Sequence, residues 1–422
     1  MPLLHTNIMN IYLILIVVTY FLVVLFGYLL DTLNLSHLKK YGAIIPPEFE
    51  GQIDQALLSK TMKYNVEHTK FGFVSSIINN IVFLVFMLLL LNIYNSWVMS
   101  LDYPFIISGL LFFLLLTYAE NIISIPFSLY STFQIENRYG FNTMTMKLWI
   151  ADTIKSLIIS TILMGILISI GLFICQKSPG FWWLWVWCFF FAFSIFMMYI
   201  SPYVIEPLFH KFSPIDDEEL ESGIRDIMGK AGIRVSRVFK VDASKRTKHT
   251  NAYFTGIGKV KRIVLYDTLI EKMDHDEVLS VLAHEAGHWK KRHVLKYIVI
   301  TELIALLVLY IAFRVLQSDF LVDVFSIDQS SFFAKIIILG FIGSIVSFPF
   351  GPVFNYFSRK HENEADRFSY EITGKGESMI SSLVKLSKDN LSNLHPHPLY
   401  SLFHYSHPPV LERIREIRKL IK

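Results

Sequence analysis

Seven apolar runs, each long enough to cross a bilayer as a helix, recur along this chain near 8–30, 72–96, 104–130, 150–175, 181–206, 294–317 and 331–355. A helix of about 20 apolar residues spans the hydrocarbon core, and in lipid the backbone must satisfy its own hydrogen bonds. The runs therefore predict seven transmembrane helices. The first resembles a signal peptide only in hydropathy: it lacks a basic leading region and a small-residue cleavage site, so it reads as a retained anchor. A hydrophobic share of 53% with only 18% charged residues fits a polytopic membrane protein.

An odd number of spans places the termini on opposite sides of the membrane. Loops 31–71, 131–149 and 207–293 and the tail 356–422 then share one side and hold 34 of the 39 Lys and Arg. The positive-inside rule makes that side cytoplasmic, and six or eight spans would break the partition. Trp182, Trp183, Trp185 and Trp187 open the fifth span, where an interfacial aromatic belt would sit. Cys175 and Cys188 both fall in apolar runs and offer neither a disulfide framework nor metal-ligand spacing. A net charge of +4 gives no case for nucleic acid. Nothing in the pattern indicates an oligomer; the lipid bilayer is the evident partner.

The chain thus divides into spans 1–5 with their loops (1–206), a polar region 207–293, a two-span hairpin 294–355 and a polar tail 356–422. Within the first polar region, SPIDDEELESGIRDIMGKAG reads as an amphipathic helix. RVFKVD (237–242), NAYFTG (251–256) and RIVLYDTLI (262–270) read as strands. Asp274 then caps a helix, with Glu277 at capping-box spacing, and that helix carries His-Glu-x-x-His before running through Lys290-Lys291-Arg292 into the sixth span without a break.

His284 and His288 lie one turn apart, so both imidazoles project from one face and can bind a single Zn²⁺. Glu285 follows the first ligand, where it can act as general base in peptide hydrolysis. Val278, Leu279, Val281 and Leu282 make this a buried helix, in which two idle histidines and a carboxylate would be costly. A catalytic zinc needs a third protein ligand. RKHENEADRFSYEI (359–372) supplies Glu362 and Asp366, four apart on one face; one can bind metal while the other holds a ligand histidine from behind. Spacing favours Glu362 over Asp366, with His361 a third candidate, and leaves Glu364 in solvent. In HYSHPPVLERI (404–414), His407 can donate to the oxyanion of a tetrahedral intermediate or simply mark a helix start; His395 and His397 read as loop residues.

VLAHEAGHWKKRH, the ENEAD segment, TNAYFTGIGKVKRIVLYDTLIE, HYSHPPVLERI and IPFSLYSTFQIENRYGFN together resemble the type I CAAX prenyl protease family, integral-membrane zinc endopeptidases. The likeness runs from about the third span to the C-terminus. It implies a mainly α fold of seven transmembrane helices around a chamber, with a small α+β zinc-metallopeptidase domain. It implies Glu362 as third ligand of one Zn²⁺ per chain, with Asp366 behind the ligands, and His407 as a catalytic contact to the substrate carbonyl. It further implies Asn251 as a polar contact, Ala252, Tyr253 and Phe254 as the edge along which substrate extends, and Arg413 near the substrate's C-terminal end. Glu120, Asn121, Asp152, Lys155 and Glu302 are then chamber lining or packing pairs.

The activity expected is removal of the C-terminal tripeptide from prenylated CAAX proteins, or cleavage of related amphiphilic membrane-surface peptides. The compartment implied is the endoplasmic reticulum membrane in a eukaryote or the cytoplasmic membrane in a bacterium. Two other readings compete: an intramembrane metalloprotease with HExxH inside a span, and a channel or transporter with a structural zinc closed by a fourth protein ligand.

Overall fold

The computed structural model describes residues 2–255 and 260–422, with side chains from 10 to 254 and from 262 onward. Five long helices come first: α1 (Pro2–Tyr41), α2 (Gln55–Ser100), α3 (Phe105–Tyr139), α4 (Met146–Lys177) and α5 (Trp182–Phe209). The chain then leaves the bundle for β1 (Phe212–Pro214), α6 (Glu218–Ala231), β2 (Arg234–Val241), β3 (Ala252–Thr255), β4 (Val260–Tyr266) and α7 (His275–Lys290). It returns as the spans α8 (His293–Leu316) and α9 (Phe332–Thr373), and ends in α10 (Gly376–Asp389), α11 (Pro398–His404) and α12 (Val410–Ile421).

All seven expected spans are present as helices. Large apolar side chains on them point outward, such as Leu89 at 65% and Leu303 at 62% exposure, as a lipid solvent demands. Several helices outrun the apolar runs that predict them. At 42 residues, α9 is about 63 Å long, roughly twice the hydrocarbon thickness. A 3₁₀ turn at Phe348–Phe350, containing Pro349, marks where it leaves its apolar stretch, and its polar second half carries Glu362. The tryptophans divide: Trp185 faces outward as an anchor should, whereas Trp182 is buried and the Trp187 indole N–H donates to the Glu302 carbonyl at 3.0 Å.

The sheet has the order β1-β2-β4-β3, with β2 and β4 parallel and the outer strands antiparallel. Sequence alone misses β1, which is only three residues long. It also runs the last strand too far. At Asp267 the carboxylate accepts from the backbone N–H groups of Ser244 and Thr268, and the chain turns into helix instead. Gly256, the last residue of the expected NAYFTG strand, lies outside the described residues. One face of the sheet packs Ile263, Leu265 and Ala252 against α6 and α7, burying Ile224, Met228, Leu282 and Ala286. That apolar contact is the core of this small α+β domain.

Two polar anchors tie this domain to the bundle. The Arg262 guanidinium lies 4.3 Å from the rings of both Phe212 and Phe239 and donates to the Pro202 carbonyl at the end of α5. Arg246 grips Asp152 of α4 at 2.8 and 3.2 Å, so this intramembrane carboxylate is a packing partner. Glu120 lines a cavity of about 620 Å³ among the spans, and Asn121 lines one of about 890 Å³ that Asp152 also borders.

One expectation fails in an informative way. The helix of the metal motif does not continue unbroken into the sixth span: α7 ends at Lys290, and Arg292 adopts φ 58° before α8 begins at His293. A left-handed residue other than glycine costs about 1–2 kcal/mol.

Candidate metal centre

The centre is built where α7 crosses α9. Asp274 caps α7 by accepting from the Glu277 N–H, and Glu277 returns a bond to the Asp274 N–H, completing the capping box. The helices approach closely because residue 287 is glycine. A Cβ there would lie 2.9 Å from Ala365 Cα and 3.2 Å from its carbonyl oxygen. Ser369 of α9 also donates to the Ser280 carbonyl of α7 at 2.8 Å. This approach turns His284, His288 and Glu362 toward one point.

Their facing atoms lie close together, with each carboxylate oxygen of Glu362 beside one imidazole. His284 Nε2 and His288 Nε2 are 3.2 Å apart, His284 Nε2 and Glu362 Oε2 3.3 Å, and His288 Nε2 and Glu362 Oε1 3.2 Å. Ligands at about 2.0–2.1 Å from a tetrahedral zinc are separated by about 3.3–3.4 Å. The donor set of two imidazoles and one carboxylate, and its spacing, therefore fit zinc. Glu362 Oε2 is buried without a hydrogen-bond partner, the condition of an atom waiting for a cation. Among the described residues no fourth His, Cys, Asp or Glu joins the group, which leaves a coordination position open.

The surroundings favour a cation as well. Burial of His284 opposes protonation, but Asp366 and Glu362 outweigh it and lift the pKa to about 9. Asp366 Oδ1 lies 2.7 Å from His284 Nδ1, so it holds the ring with Nε2 turned to the metal. The two candidate carboxylates thus separate cleanly: Glu362 faces the triangle and Asp366 stands behind it.

Arg413 departs from expectation. Its guanidinium is largely covered and bidentate on Asp366, at 2.8 Å from Nε and 2.6 Å from Nη2, with Nη1 4.0 Å from Glu362 Oε2. The fork expected to grip a substrate carboxylate is already closed on an internal one. His407 Nε2 is 3.5 Å from Glu362 Oε1 and its ring is largely exposed, so the ring borders the open side of the site. Glu285 is half-buried on α7 between the two histidines and lies in the electrostatic field of Arg413.

β3 runs beside α7 as the edge strand of the sheet. Ala252 and Phe254 pack into the core shared with α7, while Tyr253 points to the opposite face, where its hydroxyl donates to Glu206 at 2.8 Å. Asn251 precedes the strand with its side chain exposed; Oδ1 accepts from the Ala252 N–H and its carbonyl accepts from Tyr266.

Two residues escape sequence reasoning. Glu364, expected in solvent, accepts from His293 Nε2 at 3.0 Å. His293 in turn lies 3.1 Å, Nδ1 to Nδ1, from His288. His361, a candidate ligand by spacing, instead stacks on His293 with ring centroids 4.0 Å apart. The sequence signal available was a histidine five residues beyond the motif and a glutamate two beyond the third ligand, neither on the expected helical face.

Two family models match successive parts of the chain. Residues 34–211 match the family described as CAAX prenyl protease N-terminal, five membrane helices, and residues 214–421 match peptidase family M48. The chain is 39% identical to an Arabidopsis thaliana protein named CAAX prenyl protease 1 homolog, covering 71% of this chain and 70% of that one. It is 32% identical to CAAX prenyl protease 1 of Saccharomyces cerevisiae, covering 88% and 87%. The crystal structure of S. mikatae Ste24p superposes with a TM-score of 0.86 at 30% identity, covering 98% of this chain and 99% of that one.

Proposed function

This chain belongs to the type I CAAX prenyl protease family of M48 membrane metallopeptidases, and from that premise we propose that it removes the C-terminal tripeptide of prenylated CAAX proteins or cuts related amphiphilic peptides. The observation that carries the reading is the triangle of His284, His288 and Glu362, open on one side and joined through two residues to a membrane span.

One Zn²⁺ per chain, held by those three residues, would supply Lewis acidity to activate water and polarise the scissile carbonyl. Glu285 takes the proton of the attacking water and passes it to the leaving amine. His407 donates to the developing oxyanion from the open side. The substrate main chain adds to the exposed edge of β3 along Ala252, Tyr253 and Phe254, with the Asn251 amide at the end of that strand. Asp366 keeps His284 in the ligating tautomer, and Arg413 keeps Asp366 in place.

The location of the site suits such a substrate. An isoprenoid prefers hydrocarbon, whereas the scissile bond needs water. Lys290, Lys291 and Arg292 are exposed between α7 and α8 and favour the headgroup level of a cytoplasmic leaflet. The membrane would be that of the endoplasmic reticulum in a eukaryotic cell, or the cytoplasmic membrane in a bacterium. A motif placed before the span, rather than within it, disfavours an enzyme that cuts transmembrane helices.

The test pairs a farnesylated CAAX peptide with the same peptide unmodified, following products by mass spectrometry with the full-length protein in liposomes. Tripeptide release from the farnesylated peptide alone supports the reading. Equal cleavage of both peptides, or cuts elsewhere, sinks the prenyl assignment and leaves the metallopeptidase.

A further inference from the structure

We propose that Glu364 and His293 form a positioning relay that fixes His288 as a metal ligand; the proposal rests on the metal reading given above. With His293 neutral, the hydrogen-bond chemistry admits one arrangement. Glu364, as a carboxylate, only accepts, so the 3.0 Å contact requires a proton on His293 Nε2. A neutral His293 then presents a bare Nδ1, which can only accept across the 3.1 Å contact with His288 Nδ1. His288 therefore carries its proton on Nδ1 and turns the lone pair of Nε2 toward His284 and Glu362. Each ligand histidine is thereby backed by a carboxylate: His284 directly by Asp366, His288 through an intervening imidazole by Glu364.

The backbone is shaped to permit this contact. In one continuous helix residue 293 would be rotated about 140° from residue 288, away from the metal face. The left-handed turn at Arg292 brings His293 back beneath His288. The side chain is then only 2% exposed, with its ring plane fixed by His361 stacked at 4.0 Å and 12°.

The test measures zinc affinity of the purified full-length protein by competition with a chromogenic chelator, alongside the melting temperature of each zinc-free form. His293→Phe keeps the stack on His361 but removes the acceptor for His288, and should weaken zinc binding about 10–100-fold. Glu364→Gln keeps an acceptor without the charge and should weaken it by a smaller factor, up to about tenfold. The double variant should bind no more weakly than His293→Phe alone, because both changes break one chain. Zinc-free melting temperatures should stay near that of the unaltered protein. Glu364 is 36% exposed, so Glu364→Gln carries the test even where His293→Phe does not fold. Unchanged zinc affinity in the variants, or losses that multiply in the double variant, would overturn the relay alone. Failure of the unaltered protein to bind zinc would overturn the metal reading and the relay with it.

Discussion

His284 Nδ1 stands 2.7 Å from Asp366 Oδ1, and the same carboxylate is gripped by Arg413 through both of its oxygens. His284, Asp366 and Arg413 form one compact cluster with the carboxylate as its middle member, and Arg413 Nη2 also lies 3.4 Å from His284 Nδ1. Removing its middle member strands the other two, and breaking a buried pair costs about 3–5 kcal/mol. Asp366→Ala should therefore lower both zinc affinity, about 10–100-fold, and the melting temperature of the zinc-free protein. Asp366→Ala combined with Arg413→Met should regain much of the melting temperature and none of the zinc affinity. Equal losses of both in the double variant would contradict this account of Arg413.

Gly287 sets how closely α7 and α9 approach. The contact a Cβ would meet is backbone, at 2.9 Å from Ala365 Cα, so no side-chain rotation relieves it. Gly287→Ala should separate the helices that carry His288 and Glu362, cost about 1–3 kcal/mol and weaken zinc binding. Calorimetry and chelator competition on the same preparation check both effects; a variant that melts and binds zinc as the unaltered protein does would refute the close-packing argument.

Metal removal should loosen the peptidase domain, because the ligands come from helices far apart in sequence. At free zinc about 100-fold above the dissociation constant, binding adds about 2.7 kcal/mol of stability. Chelation should lower the melting temperature and expose the seam between α7 and α9 to hydrogen exchange, with readdition of zinc reversing both. An exchange pattern indifferent to zinc would argue that the triangle holds no ion.

The peptidase domain also contacts the bundle through His249, whose Nε2 lies 3.3 Å from Glu136 Oε2 and Nδ1 2.7 Å from Asn390 Oδ1. Both partners accept, so the fully bonded ring is the imidazolium. The Glu136 hydrogen bond, opposed by burial and aided by Asn390, raises its pKa above the ordinary value of 6.5. A raised pKa contributes stability that is complete below 6.5 and fades as pH climbs through the folded value. The melting temperature of the unaltered protein should exceed that of His249→Gln by more at pH 6 than at pH 8.5. A gap that is constant or widens with pH would show that His249 docks neutral.

Much of this was legible in the sequence because it depends on local pattern. The seven spans follow from hydropathy alone. His284, Glu285 and His288 follow from helical spacing, and Asp274 with Glu277 from capping chemistry. Spacing favours Glu362 over Asp366, but what separates the two is how α9 crosses α7, where the glycine at 287 allows close approach. The Arg413 contact is not local either, since its partner Asp366 lies 47 residues away on another helix. The His293–Glu364 contact was hidden by a backbone event with no compositional sign, a left-handed arginine where the pattern promised continuous helix.

The central claim is that Glu285 performs proton transfer at a zinc held by His284, His288 and Glu362. Its most direct test measures tripeptide release from a farnesylated CAAX peptide by the unaltered protein, the chelated protein and Glu285→Gln, with zinc content determined for each. Glu285→Gln should retain one zinc per chain yet lose about 10²–10⁴-fold in rate, and chelation should abolish activity until zinc is restored. Cleavage by Glu285→Gln at a rate near that of the unaltered protein, or activity that survives loss of the zinc, would contradict it.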